Sequence, residues 1–179
     1  WGTLATSGLS VALSTVLGVG LAFAVGLIRL RGRTALVFLI LTPLLIPSQT
    51  MALAWIELAG ANSPILGALG LAPPPGTANP LYSVSGIALV MGVEHMPLVF
   101  LATRAALRAV PADLVEAARV IGVPGPRIAA GIVLPLVAPS ILAGALLAFT
   151  AAIGHFGVPA LLGIPGRVPV LTPLIYPRP

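Results

Sequence analysis

Four runs of about twenty or more apolar residues, near 4–28, 35–59, 83–107 and 136–156, constrain this chain more than anything else in it. A hydrocarbon layer of about 30 Å, at about 1.5 Å of helical rise per residue, needs ~20 apolar residues in a row. Of the 179 residues 58% are apolar and 7% charged, against roughly 45–50% and about 25% in an average globular domain. A water-facing surface cannot be built from so few polar groups. In lipid the backbone must satisfy its own hydrogen bonds, so each run is expected to be a helix. The expected fold is all-α, a polytopic membrane helix bundle with about four transmembrane helices.

The runs are not uniform. The second carries Pro43 and Pro47, and a proline inside a helix removes a backbone donor and kinks it. Ser48, Gln49 and Thr50 follow directly and are expected to satisfy the freed carbonyls. A connection rich in proline and glycine runs from 60 to 82 and includes "APPPGTANP", too broken for helix or strand. After the fourth run comes "GVPALLGIPGRVPVLTPLIYPRP", read as a proline-rich external loop.

A net charge of +5 comes entirely from arginine, since the chain has no lysine. The arginines stand at the edges of apolar runs, which marks them as topology signals and not as a nucleic-acid surface. One set of connections holds Arg29, Arg31, Arg33, Arg104, Arg108, Arg119 and Arg127, the other only Arg167 and Arg178. Seven against two puts the first set on the cytoplasmic side. Without cysteine there is no disulfide, thiolate zinc site or iron–sulfur cluster. Without lysine there is no Walker A loop, so any ATP that drives the protein is bound by another chain.

Close approach of helices in lipid needs small residues four apart. Gly18, Ala22 and Gly26 form one such stripe, and Ser140, Gly144, Ala148 and Ala152 another.

The exception to this apolar pattern is "VEAARVIGVPGPRIAAGIVLPL", residues 115–136, on the expected cytoplasmic side. It reads as two short helices around a hinge. Pro111 suits a first helical position, Asp113 and Glu116 complement the positive helix start, Arg119 the end, and Gly122 a left-handed cap. Glu116 and Arg119 are spaced to pair at i,i+3. Leu114, Val115, Ala118 and Ile121 form an apolar face on a helix too short to stand alone in water. Physics alone leaves two readings, an interfacial amphipathic helix or a helix that docks on another protein.

Glu116-Ala117-Ala118, three residues, Gly122, nine residues, Ile132, one residue, Leu134-Pro135 resembles the EAA motif of the permease subunits of binding-protein-dependent ABC importers, without a gap. The stretches 42–56, "TPLLIPSQTMALAWI", and 156–176, "FGVPALLGIPGRVPVLTPLIY", are similar to those of ferric-iron permeases and their relatives for thiamine, aminoalkylphosphonates and polyamines. The resemblance implies a type I importer permease domain over 1–179 with a coupling loop at 111–135. It implies partners as well: two cytoplasmic ABC ATPase subunits, a substrate-binding protein and a second permease domain or subunit. Glu116, Ala117, Ala118, Gly122, Ile132, Leu134 and Pro135 would be the ATPase-coupling residues, and ferric iron the first substrate expectation. The family core has a fifth helix after the external loop, so the chain, which opens on Trp1 without a visible signal peptide, is expected to be a piece of a longer one. One departure from those relatives is His155, which stands where they often carry an acid.

Ionisable residues inside a span are candidate pathway groups. Glu94 and His95 lie near the middle of the third run, Glu57 near the external end of the second, and His155 near the external end of the fourth. Glu94 and His95, as helix neighbours, point about 100° apart and are poorly placed to pair with each other. The two histidines and scattered acids show no metal-ligand spacing, and neither a resident metal nor a cofactor is expected. Proton-coupled secondary transport through Glu94 is the distant alternative. A serine hydrolase is disfavoured because no G-x-S-x-G occurs.

Overall fold

The chain is described by a computed structural model over residues 1–27 and 32–168. Arg29, Arg31, Arg178 and the end of the last similar stretch lie outside the described residues. Within them, all regular structure is helical: α1 (Gly2–Leu27), α2 (Arg33–Leu41), a 3-10 turn (Thr42–Leu44), α3 (Ser48–Ala59), α4 (Pro64–Ala68) and α5 (Val84–Ala109). Then come α6 (Ala112–Val120), α7 (Gly125–Ile128), a π-helical turn (Ala129–Val133), α8 (Leu134–Ile153) and a second π-helical turn (Pro159–Gly163).

Three helical stretches, Gly2–Gly26, Val84–Ala109 and Gly125–Ile153, are long and apolar enough to cross a membrane. α5 is the central one, with 67% of its most apolar stretch buried against 28% for α1 and 22% for the third. α1 and α8 flank it and touch each other. Both small-residue stripes face these contacts. A methyl group at Gly18 would stand 2.9 Å from the Met96 carbonyl and the Phe100 amide, and one at Gly144 would stand 3.0 Å from Val99 Cα. Ala22, Ala148 and Ala152 are buried. Leu142, Leu146 and Leu147, on the other side of α8, are exposed as lipid-facing residues should be.

The second run breaks where a kink was expected. Its two legs, Arg33–Leu44 and Ser48–Ala68, meet at 101°, and only together would they make a fourth span. Pro43 and Pro47 each lack a donor, and Pro47 is extended at ψ 136, which ends the first leg outright. Thr42 Oγ1, and not Ser48, Gln49 or Thr50, returns a hydrogen bond to a backbone carbonyl here, that of Phe38 at 3.0 Å. The second leg turns because Met51 and Ala52 bury against Leu81, Val90, Val158 and Leu162.

The 60–82 connection holds a short helix after all, α4, started by Ser63 as cap and Pro64 in the first turn. Both are standard start signals. Asn79 ties this connection down by donating to the Ile56 carbonyl (2.9 Å) and accepting from the Leu81 amide (3.0 Å).

The last span starts earlier than Leu136: helix is continuous from Gly125. Pro135 has no N–H for the preceding turn, and the wide π turn at Ala129–Val133 lies where that missing donor must be absorbed. At the other end, residues 156–168 are not a loose external loop. Val158 and Leu162 are fully buried in the cluster around Ile87, Val90 and Met91, and Gly166 lies against the Tyr82 backbone.

Candidate functional site

Glu94 lies ten residues into α5 from Val84, a depth of about 15 Å at helical rise, which is about half of the ~30 Å hydrocarbon layer. His155 is at the same level along α5: its Nε2 is 3.0 Å from Glu94 Oε1. The contact ties the end of α8 to α5, and Val158 and Leu162 of the following segment bury against Ile87, Val90 and Met91 in the first third of α5. Glu94 and His95 do not pair with each other. The His95 and His155 rings instead stand perpendicular to each other, with centroids 5.3 Å apart and planes at 82°.

These three side chains line a cavity of about 570 Å³ together with Pro43, Pro47, Ser48 and Gln49 at the break of the second run. Irregular backbone at membrane depth is tolerated where it is buried in protein or lines a cavity, and here the break lines one. Glu94 Oε2 and His155 Nδ1 are buried with no hydrogen-bond partner. Such unpaired groups are costly unless something in the cavity meets them. Gly157 permits the closure of this wall, since a methyl group there would stand 2.8 Å from Ser48 Cβ. Glu57 is exposed on α3 and does not line the cavity.

Ser48 and Gln49 are cavity residues that sequence reasoning had assigned to the backbone. Ser7, Ser10 and Ser14 on α1 are also fully buried, and Ser14 Oγ donates to the Gly92 carbonyl at 2.8 Å. Their i, i+3, i+7 spacing was a readable sign of a polar inward face.

At the arginine-rich end, α6 is a separate device. Ala118 is buried against Ile128, Val133 and Val137, with Val115, Val123 and Ile132 packed beside them. Glu116, Ala117, Leu114, Val120 and Ile121 are exposed. Gly122 has φ +82, and its amide donates to the Arg119 carbonyl while that of Val123 donates to the Ala118 carbonyl, both at 3.0 Å. This is the left-handed helix end expected of that glycine. Pro111 is the residue before the helix, extended at ψ 127, and not its first helical position. Glu116 and Arg119 form no ion pair; among the described residues the one pair within 4.0 Å is Glu94–His155. Leu134 and Pro135 are exposed at the start of α8.

Arg33, Arg104, Arg108, Arg119 and Arg127 belong to this end of the bundle, and Arg167, next to Gly166 and Tyr82, to the other. The break of the second run and the polar cluster thus share one cavity, and the exposed helix α6 lies apart from it.

The trehalose/maltose transport system permease protein MalF of Thermococcus litoralis is 33% identical over 125 residues, 67% of this chain. The chain spans 42% of that relative's length. The profile of the family described as binding-protein-dependent transport system inner membrane component matches residues 14–176. The chain belongs to that family, as a multi-pass component of the inner membrane.

Proposed function

We propose that this chain is the permease domain of an ATP-driven importer, over 1–179, with 111–135 as its coupling loop on the cytoplasmic side. It has no catalytic role of its own. ATP is bound and hydrolysed by partner ATPase subunits, a binding protein delivers the substrate, and a second permease domain or subunit completes the pathway. The observation that carries this reading is the split character of α6: Ala118 and Val115 anchor it to the bundle while Leu114, Glu116, Ala117, Val120 and Ile121 face away. An exposed apolar and acidic face on an anchored helix is a docking surface. Ile132, Leu134 and Pro135 link it to α8, so that displacement of α6 reaches the bundle.

Rigid motion of α6 with the ATPases would tilt α8 against α5 and so open the cavity to one side and then the other. Differential contact of the ATPases with the two states biases that equilibrium. Glu94, His95 and His155 are the pathway groups in this reading, with Ser48 and Gln49 added and Glu57 outside it.

The substrate reading is a sugar. The MalF relative carries trehalose and maltose in its name, and a hydroxyl-rich ligand would meet both the unpaired acceptor of Glu94 and the open imidazole nitrogen of His155. Ferric iron, the first expectation from resemblance, is the second reading and rests on that resemblance alone, since no group among the described residues could hold a metal ion. The test is ATP hydrolysis by the full transporter in proteoliposomes with its binding protein added. Stimulation by the disaccharide-loaded form supports the first reading, and stimulation by the iron-loaded form only supports the second. No stimulation by any loaded binding protein contradicts the importer assignment.

A further inference from the structure

A second, smaller cavity of about 170 Å³ lies at the arginine-rich end, where α1, α2, α5 and α6 meet. Its lining includes Gly26, Arg33, Arg104, Arg108, Val115 and Val133. Arg104 lies within electrostatic range of both Arg33 and Arg108. None of the three has a carboxylate within ion-pair reach among the described residues. Asp113 and Glu116 are exposed on α6.

Arg104 is the telling residue. Its guanidinium carbon stands 5.8 Å from the centre of the Phe100 ring, and its Nε is buried without an acceptor. A buried guanidinium N–H without an acceptor is a costly arrangement, and two further cations nearby add repulsion. The arrangement is relieved by an anion with several acceptor oxygens. Guanidinium forks suit phosphate in particular, because two N–H groups meet two oxygens at once.

We propose that this cavity binds the phosphate of an anionic phospholipid headgroup. The source is lipid because the cavity opens at the ends of membrane spans, with Gly26, Val115 and Val133 as apolar walls beside the three cations. The neighbouring helix α2 turns Phe38 and Leu39 outward as a surface for acyl chains. Basic pockets between spans on the cytoplasmic side are suited to such headgroups. The bound phosphate bridges α2 and α5 through Arg33, Arg104 and Arg108. Lipid binding does not depend on the transport reading; only an effect on coupling rests on it.

The test is native mass spectrometry of the full transporter complex in mild detergent, with dioleoyl phosphatidylglycerol or dioleoyl phosphatidylcholine added. The Arg104→Gln and Arg108→Gln variants should each lose phosphatidylglycerol binding by about fivefold, the factor for one basic residue near an anionic surface. Arg127→Gln, exposed on α7 at the same end, should bind as the parent does, and phosphatidylcholine should not distinguish the variants. Because Arg108 is exposed, its variant keeps the test valid if Arg104→Gln does not fold. Equal phosphatidylglycerol binding by Arg108→Gln, Arg127→Gln and parent overturns the proposal. So does absence of bound phosphatidylglycerol in the parent, as when a partner carboxylate fills the cavity. Retention of inorganic phosphate in its place, displacing the lipid at millimolar concentration, overturns the lipid source.

Discussion

Glu94 Oε1 and His155 Nε2 stand 3.0 Å apart although 61 residues separate them, and their contact pins the end of α8 to the middle of α5. Both are largely buried, so neither can exchange its partner for bulk water. A double-mutant cycle of Glu94→Ala and His155→Ala, read by unfolding in detergent, should give a coupling of about 1–3 kcal/mol. Additivity within about 0.3 kcal/mol would mean that the contact carries no energy.

Packing of α1 on α5 predicts opposite outcomes for two glycines one helical face apart. A methyl group at Gly18 meets backbone atoms of Met96 and Phe100 at 2.9 Å, whereas one at Gly20 has nothing within 4 Å. Backbone cannot swing aside as a side chain does. Gly18→Ala should therefore lower stability by about 1–3 kcal/mol through overpacking. Gly20→Ala should be neutral or stabilising by less than about 1 kcal/mol, since alanine restricts the unfolded chain. Thermal unfolding of the two variants side by side checks the contrast.

Three of the spans were legible in the sequence because spanning a membrane is a one-dimensional requirement that run length meets, whereas the second run, equally long, is broken. The faces at Gly18, Ala22 and Gly144 were legible for a similar reason, since spacing of four residues fixes a helix face. The Glu94–His155 pair was not, because it depends on where α8 stops and how α5 is rotated. Likewise the prolines at 43 and 47 announced a disturbance but not its size. The 101° turn depends on Met51 and Ala52 finding Leu81, Val158 and Leu162, residues distant in the chain. α6 was the reverse case: its glycine cap and apolar face were readable locally, but which of its residues face the bundle was not.

Gly122 tests the proposed coupling role of α6 through its backbone. At φ +82 a β-branched residue is strained by about 1–2 kcal/mol, while asparagine tolerates that region. No atom crowds the position, so the effect is conformational. Gly122→Val should insert normally yet lose most substrate uptake in proteoliposomes, and Gly122→Asn should keep most of it. Equal uptake by the two would remove the left-handed turn from the mechanism.

The most direct measurement of the central claim is contact between α6 and an ATPase in the full transporter. A photo-crosslinking residue placed at Ala117, exposed on α6, is predicted to capture the ATPase subunit, with a yield that changes when ATP is bound. The same residue at Leu142, on the lipid face of α8, should capture none. Capture of no ATPase from Ala117, Leu114 or Ile121 in a transporter that still imports would contradict the account.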